Sequence, residues 1–207
     1  NAGNGALLVT TKKGKSGNFK VDFSTNLTVD SPAYMMDFNN EAQKNVDSFL
    51  DNGTTFINSI TASGGTEKAQ TYFSYSNTSA SGVLPTNKLK QHTFNIRETA
   101  QLFDDKLNIS ASLMASTQNI KNRPVSGLYF NPLVGVYGFE SAGESLSDYK
   151  VYEEYDGGRN IMAQRWFRAT SDIEQNPYWI LHRNASKDTN QKLLTSLNLN
   201  YEFNDWF

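Results

Sequence analysis

Hydrophobic and polar residues alternate with a period of two along several stretches of this chain, most regularly from Gln91 to Thr117. Phe94, Ile96, Glu98, Ala100 and Leu102 fall on one side, opposite Thr93, Asn95, Arg97, Thr99 and Gln101. Further on, Leu107, Ile109, Ala111, Leu113 and Ala115 alternate with Asn108, Ser110, Ser112, Met114 and Ser116. Period two sends successive side chains to opposite faces of a strand. The pattern therefore predicts two long strands joined by a tight turn at Asp104-Asp105, with one mainly apolar face and one small, polar face. Glu98 interrupts the apolar face. Each strand runs to about ten residues or more, beyond the usual five or six and enough to cross a bilayer at a tilt.

The same alternation predicts strands over Phe19 to Val29, Thr55 to Ser63, Ala69 to Ser79 and Lys192 to Phe203. Gly64-Gly65-Thr66-Glu67 reads as a tight turn. Asn39 to Leu50 fits a short helix, with Asn39 or Asn40 as cap and Ala42, Val46, Phe49 and Leu50 on its apolar stripe. Asn1 to Gly17 holds the short apolar run Ala6 to Val9, then a basic, glycine-containing linker. Gly14-Lys15-Ser16 ends like a phosphate-binding loop, but Val9 stands where that motif needs its first glycine. Gln118 to Asn190 lacks regular alternation, is broken by Pro124, Pro132 and Pro177, and is crowded with aromatic residues. Its length signals function, and its aromatic content argues against disorder and for local folding.

Counting strands from Phe19, the connections after the first, third and fifth are long, and those after the second and fourth are tight. Antiparallel order puts the long ones on one rim. That asymmetry, with the strand lengths, predicts an all-β fold: the N-terminal part of a large antiparallel transmembrane β-barrel with long extracellular loops. Residues 18–207 would supply about six strands, with the longest loop at about 118–190, and residues 1–17 would be the end of a plug domain. The lipid face would carry Phe23, Leu27, Ile96, Ile109 and Leu197, and Phe19, Phe103, Phe203 and Trp206 would form the lower girdle. Six strands close no useful barrel, so both ends read as cut from a longer protein. Alternation is equally normal in a soluble antiparallel sandwich.

Composition narrows the classes. The 207 residues include no cysteine, which removes disulfides, thiolate metal sites and cysteine nucleophiles. A formal charge of -2 without a sustained basic run gives no support for nucleic-acid binding. No apolar run is long enough for a transmembrane helix.

Asn4 to Gly14, Ser63 to Lys68 followed by Tyr72-Phe73-Ser74, Asn122-Arg123-Pro124, Tyr129-Phe130-Asn131-Pro132, Asn176-Pro177-Tyr178-Trp179 and Tyr201 to Trp206 together resemble the SusC-like branch of TonB-dependent outer-membrane transporters of Bacteroidota. The resemblance implies a large barrel with an internal plug, placed in the cell outer membrane and in contact with its lipid. It implies energy from the TonB-ExbB-ExbD system through a missing N-terminal region, and a SusD-like surface lipoprotein as lid. It also implies import of a bulky nutrient, a glycan in most cases and a peptide in some. The expectation from a different class is a soluble or surface β-sandwich acting as a carbohydrate-binding or adhesion module.

No catalytic constellation is visible, and the chain reads as a non-enzyme. His92 and His182 are far apart and belong to no metal-ligand motif. Asp148, Glu153, Glu154 and Asp156 fit neither a calcium loop nor a catalytic pair, which leaves weak structural calcium in loops as their one cofactor reading. The candidates for ligand or partner contact are aromatic: Tyr129, Phe130, Tyr137, Trp166, Tyr178 and Trp179. Rings of this kind stack on sugars, anchor protein interfaces, or pack into a loop's own core.

Overall fold

The structure is a computed structural model that describes residues 14–32 and 40–203. The alternating segments form strands β1 (Gly17–Asp30), β2 (Gly53–Gly65), β3 (Ala69–Ser81), β4 (Lys88–Leu102), β5 (Leu107–Lys121) and β8 (Lys187–Tyr201). They make one six-stranded antiparallel sheet in the order β1-β2-β3-β4-β5-β8. Each strand pairs with the next through an almost unbroken register, such as Ile96 opposite Leu113 and Arg97 opposite Ser112. The β4–β5 turn passes through Phe103, Asp104 and Asp105, all in the left-handed region, where aspartate is better tolerated than most residues. Glu98 on the apolar face accepts a hydrogen bond from Thr71 Oγ1 at 2.8 Å, which satisfies the carboxylate from the neighbouring strand.

The two ends of the sheet differ. Short turns close β2 to β3 and β4 to β5. At the opposite end lie the connection holding helix α1 (Asn40–Phe49), the 82–87 connection, and the 122–186 segment between β5 and β8. This last segment contains α2 (Pro132–Tyr137), a 3-10 helix (Leu146–Lys150), a hairpin of β6 (Glu153–Asp156) with β7 (Ile161–Gln164), and α3 (Pro177–Arg183). Together they build a cap on that end of the sheet. The hydrophobic core sits in the cap, where Val46 and Phe49 from α1 meet Val136, Phe139, Leu146, Tyr149, Tyr178 and Leu181. Leu84 from the 82–87 connection packs against it. The amphipathic stripe expected around Val46 and Phe49 is thus what joins α1 to the segment 90 residues or so downstream.

Two asparagines tie the cap down. Asn122, in the left-handed region at φ 50, donates through Nδ2 to the Leu181 carbonyl at 2.8 Å and to Thr86 Oγ1 at 2.5 Å. Its Oδ1 accepts from the Ser186 amide at 3.0 Å, so the two ends of the 122–186 segment are pinned together where they leave the sheet. Asn176 caps α3 and is fully buried. Gly135 lets α2 approach the 175 backbone, because a Cβ there would overlap the Gln175 carbonyl.

Three expectations are corrected. The chain is not all-β: it combines α-helices with two antiparallel sheets, and its core is made by helices and aromatic rings. Neither is it a sandwich, since among the described residues no second sheet covers the large one. Nor do the described residues form a barrel: the large sheet does not close among them, and β1 and β8 are its edges. An open edge carries unpaired N–H and C=O groups that hydrocarbon cannot satisfy, so the described sheet does not supply the closed wall on which the expected lipid face, aromatic girdle and outer-membrane placement were built. No helix among the described residues is long and apolar enough to cross a membrane. Residues Asn1 to Lys13, which carry the expected plug strand, and Asn39 and Trp206 lie outside the described residues.

Candidate functional site

The cap divides the aromatic candidates into two groups. Trp166 belongs to a cluster with Phe139, Tyr149 and Phe167, whose ring centroids lie between 4.9 and 6.4 Å apart in tilted and edge-to-face pairs. Tyr178 is buried and meets Phe49 edge to face at 5.4 Å. Trp179 is half-buried, 6.4 Å from Tyr152 and beneath the Arg183 guanidinium. Edge-to-face geometry sets the positive rim of one ring against the negative face of another, so these three rings hold the cap together. Tyr129, Phe130 and Tyr137 are instead exposed at 61%, 49% and 41%.

Exposure at Tyr129 and Phe130 has a local cause. Asn131 caps α2, accepting from the Leu133 amide at 3.1 Å, and Pro132 opens the helix. Phe130 precedes the cap in the left-handed region at φ 52, a strained conformation for a bulky residue. The chain therefore turns sharply, and neither ring can follow α2 into the core. Both rings border a hollow of about 360 Å3 lined also by Arg123, Pro124, Asn184 and Ser186. Arg123 is held in place by Asp188 at 3.0 Å. The hollow thus combines two exposed rings with amide, hydroxyl and guanidinium groups on a fixed floor. Tyr137 lies on a different wall, beside a hollow of about 710 Å3 shared with Asn45, Ser48, Glu140 and Ser145. The structure does not bring all six candidates to one place.

Tyr149, Glu144 and Arg165 of the cap are committed to packing. Tyr149 Oη donates to Glu144 at 2.6 Å, and Arg165 lies over its ring at 4.9 Å. Burial, and then the Glu144 hydrogen bond, push the Tyr149 phenol up to about 12, while that hydrogen bond lowers Glu144. Folded Tyr149 holds its proton more tightly than the unfolded chain does, so its contribution is complete below the ordinary phenol value and is lost as pH climbs from 10.0 to about 12. Thermal denaturation should show the cap melting at progressively lower temperature through that alkaline window, and Tyr149→Phe should flatten the dependence.

Of the acidic candidates, Glu153, Asp156 and Asp148 are engaged in local structure, and Glu154 is exposed on β6. Glu153 pairs with Arg183 and Asp156 with Arg159, both at 2.6 Å. Asp148 closes a capping box with Ser145. Among the described residues no three potential ligands gather where a metal ion could sit. His92 Nδ1 lies 2.8 Å from Tyr75 Oη on the sheet, and His182 Nδ1 donates to the Tyr178 carbonyl at 2.7 Å. Asn122 and Asn176, which organise the cap, carry no periodic signal. The Asn-Pro pairs at 131 and 176 mark helix starts, a signal legible in the sequence as side-chain cap followed by proline.

No family model matches the chain, and no curated protein matches it. The resemblance to SusC-like transporters is corrected by the structure, in which the described residues form an open sheet and a mixed fold of helices and strands. The functions and partners that the resemblance implied are withdrawn with it: nutrient import, the TonB-ExbB-ExbD system, the SusD-like lipoprotein and outer-membrane lipid. The packed core and aromatic cluster of the cap fit a binding module better.

Proposed function

We propose that this chain is a non-catalytic recognition module that binds carbohydrate in the hollow beside Tyr129 and Phe130. The observation that carries the reading is two exposed rings, prevented from joining the core by the Asn131-Pro132 helix start, over a floor bearing Arg123, Asn184 and Ser186. Sugars present flat C–H faces and dense hydroxyls, and this combination answers both: rings for the faces, amide and guanidinium donors for the hydroxyls. The absence of a catalytic role is part of the proposal. It is supported by Glu153 and Asp156 being held in ion pairs, Asp148 in a capping box and His182 in a hydrogen bond to the Tyr178 carbonyl.

Binding of neutral oligosaccharides, screened on an array and quantified by calorimetry, tests the reading. Each exposed ring should contribute about 1 kcal/mol, so Tyr129→Ala with Phe130→Ala should weaken binding roughly thirtyfold. Both rings stand off the core, and the melting temperature should stay unchanged. Oligosaccharide affinity that survives the double substitution would remove the hollow from the site.

A further inference from the structure

We infer that the cap end of the sheet's apolar face binds a nucleoside polyphosphate, its base against Tyr75 and Phe94 and its phosphates on a block of lysines. This site is separate from the hollow beside Tyr129 and Phe130 and does not rest on the carbohydrate reading. The ladder sets Lys88 on β4, Lys121 on β5 and Lys187 on β8 opposite one another in a single row. Lys90 stands on the same face one step along β4, opposite Ser79 and Asn119. Directly opposed residues of an antiparallel sheet have Cα atoms about 4.5 to 5.5 Å apart, so four ammonium groups share one compact patch. Strand pairing alone brings them together, which is why the sequence shows no basic run. Lys88, Lys90 and Lys187 are exposed and Lys121 is half-buried. Among the described residues none of the four forms an ion pair. Like charges facing each other across strands cost stability, and an anion on the patch relieves that cost.

A hollow of about 370 Å3 opens beside the block, lined by Tyr75, His92, Phe94, Ala115 and Leu193, with Lys192 of the edge strand also on its wall. The Tyr75 and His92 rings lie 24° from parallel with centroids 6.1 Å apart. Tyr75 Oη and Asn77 Nδ2 lie 2.8 and 3.3 Å from His92 Nδ1, and Phe73 meets Phe94 edge to face at 5.1 Å. Rings ordered in this way lose little entropy on binding. Tyr75 and Phe94 are exposed, and each offers a flat face on which a base can stack. Between the rings and the lysine row the ladder places Thr117, Gln191, Asn119 and Thr189 on this face, and Thr189 Oγ1 donates to Asn119 Oδ1 at 2.9 Å. These hydroxyls and amides suit a ribose. Lys90 is about 7 Å from His92 along the strand and Lys88 about 14 Å, a span that an extended nucleoside triphosphate covers.

Charge and spacing select the ligand class. Of the residues that alternation puts on this face of the six strands, Lys88, Lys90, Lys121 and Lys187 are the cations and Glu98 is the carboxylate. Glu98 is bonded to Thr71 and lies about 27 Å from Lys90 along β4. Asp188 alternates to the other face and is held by Arg123 at 3.0 Å. Asp30 and Asp51 belong to the β1 and β2 end of the rim, at least two strands from Lys88, and Glu67, Lys68, Asp104 and Asp105 lie in the turns at the opposite end of the sheet. The patch is therefore cationic although the chain carries a net charge of -2. A single strand of nucleic acid sets its phosphates one per base beside successive stacking rings. Here the cations are gathered into one block beyond the rings, and past Phe94 the face continues as Ile96, Leu113 and Leu197 without a further cation. That arrangement matches contiguous phosphates on a single base.

The test is calorimetric titration of the full chain, at concentrations where sedimentation shows a monomer, with metal-free ATP as the ligand. Tripolyphosphate, adenosine and oligodeoxythymidylate are the controls. ATP should bind more tightly than any of the three, and less tightly as salt rises. Lys88→Gln with Lys187→Gln should weaken ATP and tripolyphosphate about tenfold each. Both lysines are exposed, so the melting temperature should hold. Phe94→Leu keeps an apolar side chain at the hollow but removes the ring. It should weaken ATP about fivefold and leave tripolyphosphate unchanged. Tyr129→Ala with Phe130→Ala should leave ATP binding unchanged, and its loss in that variant would move the site to the cap. ATP affinity that survives the double lysine substitution, or ATP bound no more tightly than tripolyphosphate, would overturn the inference. Tighter binding of oligodeoxythymidylate would overturn it in favour of nucleic acid.

Discussion

Asn176→Ala should unfold the cap, at a cost of about 3 to 5 kcal/mol. Asn176 is fully buried. Its Nδ2 donates to the Tyr149 carbonyl at 3.0 Å and the Arg165 carbonyl at 2.8 Å. Its Oδ1 accepts from the Tyr178 amide at 2.8 Å and the Trp179 amide at 3.4 Å, closing the start of α3. Its own amide donates to Gln164 Oε1 at 2.8 Å. One side chain thus joins the 3-10 helix, the end of β7 and α3. Alanine would strand two buried carbonyls and two helix-start amides without water to replace the lost partner, and each buried unsatisfied group costs about 1 to 3 kcal/mol. Asp, which keeps the cap acceptor but cannot donate, should recover part of the loss. Hydrogen exchange should show the 122–186 amides losing protection together, with the β3–β5 ladder retaining its own. An Asn176→Ala protein with a native cap and an unchanged melting temperature would mean that these bonds are not what holds it.

Substituting lysine on the apolar face of the sheet should sharply reduce self-association. Phe23, Leu27, Leu193, Leu197 and Leu199 each expose more than 60% of their surface, and alternation gathers β1 and β8 residues of this kind on the same side of the sheet as Ile60, Phe73, Phe94 and Ile96. Contiguous apolar area of this extent drives association in water, and the open edges at β1 and β8 offer unpaired backbone to a neighbour. Burying one such side chain is worth about 1.5 to 3 kcal/mol. Phe23→Lys with Leu197→Lys should therefore lower the association constant at least about a hundredfold. Sedimentation at increasing protein concentration measures it. The polar-face substitution Asn26→Lys is the matched control and should leave association where it was. Equal association of the double variant and the parent chain would assign self-association to another surface.

Period-two alternation and local turn chemistry determined the strands, the hairpin at Asp104-Asp105 and the amphipathic α1, because each depends on neighbours within a few residues. Face assignment was legible for the same reason: a strand has only two faces, and Arg97 and Glu98 must part. Whether the sheet closes depends on what each edge meets, which no pattern within a strand encodes, so strand length and loop asymmetry pointed to a barrel that the pairing of β1 to β8 does not form. Residues 118–190 were opaque for a related reason. Their order comes from Asn122 and Asn176 bonding to carbonyls in distant segments and from rings meeting α1, contacts without period. Composition could supply the aromatic residues, but not divide them. Only the tertiary packing sent Trp166 and Tyr178 into the core and left Tyr129 and Phe130 at the surface, because the helix start at Asn131-Pro132 turns the chain before those rings can be buried.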